Sequence, residues 1–172
     1  MNFSIAETTR SLLAPRHKLS CSWLLWRRIC KGLRERGLDQ SRESGAFLLG
    51  NDREGRRCIV DFVLYDDLDP RCLDTGIVRF DGRHFGELWA RCKSHGLAVV
   101  ADVHVHPHGA DQSDSDRSHP MISRAGHIAL ILPRFAAPPQ PRQDMGIYRY
   151  EGAKRWTAVS SFERKAFFHI GL

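Results

Sequence analysis

"LAVVADVHVHP" (97–107) decides the fold. Its first half, Leu97 to Ala101, is continuously apolar, the pattern of a strand buried on both faces near the centre of a sheet. Its second half alternates. A period of two sends Asp102, His104 and His106 to one face and Val103 and Val105 to the other. Pro107 ends the strand. One element therefore carries both a piece of the core and a row of titratable groups.

Outward from this strand, "GHIALILP" (126–133) reads as a second buried strand, and "FAAPPQPRQD" as a proline-rich loop. "MGIYRYEG" and "KRWTAVS" make a closing hairpin, and "SFERKAFFHI" fits a final helix. Upstream, "DGRHFGELWARCKSHG" places Phe85, Leu88, Trp89 and Cys92 on one helical face, with Asp81 as N-cap and Gly96 as stop. "SGAFLLG" (44–50) and "RCIVDFVLYDD" flank the turn "NDREG" as a hairpin. "DDLDPRCLDTG" reads as a loop and "IVRF" as a short strand. From Leu19 to Arg36 the residues Trp23, Trp26, Ile29, Cys30 and Leu33 recur at helical spacing, and Gly37 can end that helix. Helices and hairpins intermix around one sheet, so the expected class is α/β in the α+β sense: a mixed sheet flanked by helices. Residues 1–18 lack periodicity and read as a lead-in, leaving 19–172 as one domain.

The 172 residues suffice to bury a real core, and 42% hydrophobic with 27% charged residues is ordinary for a globular chain. The net charge of +6 is spread over scattered arginines with no basic run, so it names no nucleic-acid partner. Five cysteines, an odd number without a CxxC pair, point to free buried thiols in a reducing cytoplasm. "SLLAP" is too short for a signal core, and "WLLW" is far below the ~20 residues of a membrane span.

Two imidazoles two apart on a strand can bring their ring nitrogens to one ion. The following loop offers Asp111, Asp114 and Asp116 as a third, carboxylate ligand. Two histidines and a carboxylate are a donor set suited to catalytic zinc. Without an ion, the same pattern is simply two half-exposed histidines.

The order of the segments resembles the JAB/MPN family of zinc metalloproteases, which share the JAMM motif. That motif sets a Glu on an early strand, then H-x-H-P, then S-x-x-D. Here "ESGAFLLG" puts Glu43 seven residues before Gly50, "HVHP" spans 104–107, and Ser113 with Asp116 fits S-x-x-D within "SDSD". Two departures stand out. Ala46 occupies the place of the inner glycine, with Gly45 just before it. The loop from His106 to Ser113 is one residue shorter than the usual family spacing, which keeps Asp114 as a rival to Asp116.

The resemblance implies a cytidine deaminase-like MPN/JAB fold and one Zn2+ per chain. His104, His106 and Asp116 would be ligands, Glu43 the general base and Ser113 an oxyanion donor, or the N-cap of a short helix. Asp102 would orient an imidazole as a supporting partner or make a structural hydrogen bond elsewhere. His108 is expected to be exposed, and His119 and His127 to be structural. The implied substrate is the bond after the C-terminal glycine of a ubiquitin-like protein, in a conjugate or a precursor. Residues 66–80 and 134–145 are the expected flanks of the groove for that tail. "QSDSDRSHPM" followed by "GHIALILP" is most similar to the bacterial branch, and within it to the deubiquitinase-like proteases (Bil and CBASS types) of antiphage conjugation operons. The implied partners are then the ubiquitin-like protein and the E1- and E2-like enzymes of the operon. A catalytically silent MPN scaffold, or a JAB protease acting on a sulfur-carrier protein, would carry the same fold.

Overall fold

The structure is a computed structural model that describes residues 17–37 and 41–171. Residues 1–16 of the expected lead-in lie outside the described residues. The class is mixed α+β. Eight strands form one sheet in the order β7-β6-β5-β4-β2-β3-β1-β8. In chain order they are β1 (Leu19–Ser22), β2 (Gly45–Arg53), β3 (Arg56–Leu64), β4 (Ala98–Val105), β5 (Ile128–Leu132), β6 (Gly146–Gly152), β7 (Arg155–Ala158) and β8 (Phe168–Gly171). The helices are α1 (Trp23–Arg36), α2 (Tyr65–Leu68), α3 (Phe85–His95), α4 (Asp114–Ser118) and α5 (Arg164–Phe167).

The strand carrying Asp102, Val103, His104 and Val105 is central. β4 runs antiparallel to β2 and parallel to β5, with Gly45 opposite His104 and Asp102 opposite Ala129. Its alternation splits the core in two. Val103 and Val105 join Leu25, Trp26, Ile29 and Leu33 of α1 on one face. On the other face, Phe47 and Leu49 of β2 pack with Tyr65 of α2 and Leu88 of α3. Side chains such as Leu33, Val103 and Leu88 are fully buried, each stabilising the fold by roughly 1.5–3 kcal/mol. α3 ends as expected, with Gly96, at φ 63°, donating its N–H to the carbonyls of Cys92 and Lys93. Its start differs: Asp81, accepting from the Arg83 N–H, caps a 3-10 turn over Gly82–His84 that leads into α3, and His84 at the N-cap of α3 makes no side-chain cap.

Three expectations need correcting. The helix from Leu19 begins only at Trp23. Leu19 and Cys21 alternate with serines and pair in parallel with β3 and β8, and Ser22 caps α1 by accepting from the Leu25 N–H at 3.3 Å. Trp23 is correspondingly 51% exposed, and Leu25 takes the expected inward place. "IVRF" forms no strand, because the Arg79 N–H turns back to the Cys72 carbonyl. The closing helix is a single turn, α5, since burial of Phe168 and pairing with β1 draw residues 168–171 into the sheet. All five cysteines are free thiols. Burial pushes Cys30 and Cys72 up to about 12, which keeps both protonated and unreactive. Among the described residues no helix is long and apolar enough to cross a membrane.

Candidate metal centre

The β2–β4 ladder aligns the first components. With Gly45 opposite His104, antiparallel counting sets Glu43 opposite His106. The Val105 N–H donates to the Ser44 carbonyl at 3.0 Å, and the Glu43 N–H donates to the Gly76 carbonyl at 2.9 Å. Ser44, fully buried, donates its hydroxyl to the Leu33 carbonyl at 2.7 Å and ties this edge to α1. Beyond the strand, the His106 N–H donates to the Leu132 carbonyl and its own carbonyl accepts from the Phe135 N–H, both at 2.9 Å. The backbone under both imidazoles is thereby fixed. Gly45 is also required: a Cβ there would overlap the Tyr65 ring. Ala46 instead faces α1 with the other core, so the glycine that the site face needs is Gly45.

The loop after β4 delivers the third group through α4. Ser113 caps this helix in a reciprocal capping box with Asp116. The Asp116 N–H donates to Ser113 Oγ at 3.2 Å. Asp116 Oδ2 accepts from the Ser113 N–H at 2.7 Å and from the Ser113 hydroxyl at 2.8 Å. The box holds the carboxylate toward the histidines. His104 Nε2 lies 3.1 Å from His106 Nε2 and 3.3 Å from Asp116 Oδ1, and His106 Nε2 lies 3.3 Å from Asp116 Oδ2. Glu43 Oε1 stands 3.9 Å from His106 Nε2. His104, His106 and Asp116 are the metal-capable cluster among the described residues. Asp114 is exposed on the same helix and lies outside the cluster.

The electrostatics reflect this crowding. Burial opposes charge on His104, but the adjacent Asp116 carboxylate, with the charges of Asp102 and Glu43, outweighs it and raises its pKa. Burial likewise opposes charge on Asp116, and hydrogen bonds from His104, His106 and Ser113 outweigh it and hold its carboxyl well below the usual range. The donor set, two imidazole nitrogens and one carboxylate, is a zinc set. Donors at bond lengths of ~2.0–2.1 Å on a tetrahedron sit ~3.3 Å apart; the two imidazole nitrogens are 3.1 Å apart, and each lies 3.3 Å from one of the two Asp116 oxygens. The residues fit the ion.

Asp102 takes a different place from the ligands, one step down the same strand face. It is buried, accepts from the Tyr65 hydroxyl at 3.1 Å, and meets His127 Nε2 at 2.5 Å. The imidazole it holds is thus that of His127, which is itself buried. Tyr65 carried no motif, and only the fold brings it to Asp102. His119 is exposed, with Nδ1 3.2 Å from the Ser115 carbonyl, and His108 is exposed.

A cleft of about 470 Å3 opens beside His104 and Asp116. Val78, Phe80 and Phe85 form one wall, and Pro120, Met121 and Trp156 the other. Residues 66–80 therefore flank it in part, as expected. Residues 134–145 do not, because Pro138, Gln140 and Pro141 lie against α1 instead. The second wall comes from 112–121 and from Trp156, whose indole N–H donates to the Arg117 carbonyl at 3.2 Å. That wall is assembled by tertiary contact, so no local sequence signal marks it.

No family model matches the chain. The chain is 25% identical over 158 residues to the protein named Probable metalloprotease y4jG of Sinorhizobium fredii, covering 92% of this chain and 93% of that protein. In fold it is similar to a protein of Desulfitobacterium hafniense solved in solution, with a TM-score of 0.63 at 14% identity over 88% of this chain and 92% of that one. The second likeness concerns fold alone.

Proposed function

We propose that the chain is a zinc-dependent peptidase of the JAB/MPN type. The observation that carries this reading is the convergence of His104, His106 and Asp116, with Glu43 beside them, from segments about sixty residues apart in sequence. The similarity to a probable metalloprotease over nearly the whole chain supports it. His104 Nε2, His106 Nε2 and one Asp116 oxygen would hold the ion. Zinc in that place supplies Lewis acidity and acidifies water toward a pKa of ~7. Glu43 takes the proton of the attacking water on a carboxylate oxygen as the new C–O bond forms. It returns the proton to the amine as the C–N bond breaks. The cleft beside His104 receives the substrate. The Ser113 hydroxyl proton is engaged by Asp116 Oδ2, so its first work is to orient that ligand. Service as an oxyanion donor would require it to turn from Asp116.

The substrate in this reading is a ubiquitin-like protein, cut after its C-terminal glycine in a conjugate or a precursor, in a bacterial antiphage conjugation system of the cytoplasm. The motif resemblance supports this finer part. The test is a linear fusion in which a glycine-ended ubiquitin-like tail precedes a reporter. Zinc-loaded protein is expected to cut after the glycine, and Glu43→Ala to keep its zinc and lose cleavage. Zinc-loaded protein that cuts unrelated peptides but no such tail would remove the substrate class. Undiminished cleavage by Glu43→Ala would remove the base.

A further inference from the structure

A second concavity, of about 550 Å3, lies on the α1 face of the sheet, away from the cleft lined by α3. Its walls are one side of α1 and the segments around Pro141 and Ile170. Its charged side chains are Arg27, Arg34, Arg142 and Lys165, all cationic. None of the four meets a carboxylate among the described residues. Arg34 and Arg142 donate to the carbonyls of Ala136 and Phe168, and Arg27 lies over the Trp23 ring at 4.6 Å. Elsewhere, Arg36, Arg57, Arg83 and Arg134 all pair with aspartates. Among the described residues the groove thus concentrates cations without acids. It is also apolar: Trp23 is 51% exposed, and Ile170, Pro138 and Pro141 complete its floor and sides. Trp26, also on the wall, has an indole N–H without an acceptor among the described residues.

We propose that this groove docks an acidic polypeptide segment with a large apolar residue between its carboxylates. The four cationic side chains and the apolar lining together point to it. Arg27 and Arg34 are two helical turns apart on one side of α1, ~10.5 Å along the axis. A nucleic acid fits less well, because base binding needs open aromatic faces, and Arg27 already covers Trp23. Residues 1–16 of the chain itself carry one acid, Glu7, against Arg10 and Arg16, so they do not supply the complementary charge. The docking surface is independent of the metal reading and uses none of its residues.

The test uses full-length protein and a fluorescein-labelled peptide, EDELEEFEDE, followed by polarisation. The peptide should bind, with affinity falling as salt is added. The charge-reversed Arg27→Glu/Lys165→Glu protein should bind at least ~10-fold more weakly, with unchanged zinc content and unchanged cleavage of a small reporter. The same variant should keep the wild-type thermal midpoint, which a misfolded variant could not do. Undiminished binding by the variant would overturn the proposal, as would equal binding of the amide (Gln/Asn) peptide. So would preference for a single-stranded oligonucleotide, competition by a synthetic peptide of residues 1–16, or self-association that the charge reversal disperses.

Discussion

Two titratable clusters sit one step apart on the same face of β4. The Tyr65–Asp102–His127 cluster is satisfied from within: all three side chains are buried, Asp102 at the floor of the cleft, and both Asp102 oxygens have partners within the cluster. The His104–His106–Asp116 cluster is open at the cleft, with two imidazoles and two carboxylates, including Glu43, aimed at one point and few proton donors among them. Both sets combine imidazole with carboxylate. What differs is whether the donors and acceptors balance inside the protein. A balanced, buried set holds the sheet together. An acceptor-rich set at a cleft is arranged for a cation and a reaction.

The comparison can be broken from either side. The largest effect belongs to the open cluster: Glu43→Ala should lower cleavage by ~10²–10⁴-fold while zinc per chain, read by elemental analysis, stays unchanged. A parallel loss of zinc would move Glu43 from base to ligand. Next is the Tyr65–Asp102–His127 cluster. Asp102→Ala strands His127 in the core and should cost about 3–5 kcal/mol, seen as a large fall in thermal midpoint with zinc content retained at low temperature. A stable Asp102→Ala protein that has lost its metal would put Asp102 with the open cluster instead.

Within the open cluster, Asp116→Asn should weaken zinc binding far more than Asp114→Asn, in keeping with their placement inside and outside the ligand set. The reverse order would reassign the ligand. Ser113→Ala should cost about 1 kcal/mol through the lost cap and weaken zinc modestly by freeing Asp116. Slower turnover at full zinc occupancy would favour the oxyanion role.

pH separates the clusters further in metal-free protein. The Asp116 carboxyl is depressed from 3.8, so its contribution is present above that value and is lost as pH falls through its lower folded value. His104 is raised from 6.5, so its contribution is present below that value and is lost as pH rises through the folded value. The metal-free open cluster therefore stabilises most between about 4 and 6.5. Asp116→Asn should flatten both limbs of a stability profile followed by thermal melts.

Much of this was legible in the chain. The period-two alternation of 102–106 sets the site face, and the capping logic of Asp81, Gly96 and Ser113 is local, so single residues announce it. What the sequence hides depends on tertiary pairing. The four residues of β1 become a strand by pairing with β3 and β8, and the four of β8 by pairing with β1. Gly45 reveals its purpose only when the Tyr65 ring lies over it. The partnership of Asp102 with His127 crosses 25 residues and that with Tyr65 crosses 37, and neither has a spacing rule. Trp156 reaches the cleft from a hairpin that follows the ligands by forty residues or more.

The central claim is that the open cluster is a zinc site. The most direct measurement is zinc per chain by elemental analysis of untagged protein beside His104→Ala/His106→Ala. About one zinc in the wild type and none in a double variant that still unfolds cooperatively in chelator is the predicted result. A wild-type chain that takes up no zinc even when it is supplied, or a double variant that holds as much, would contradict the account.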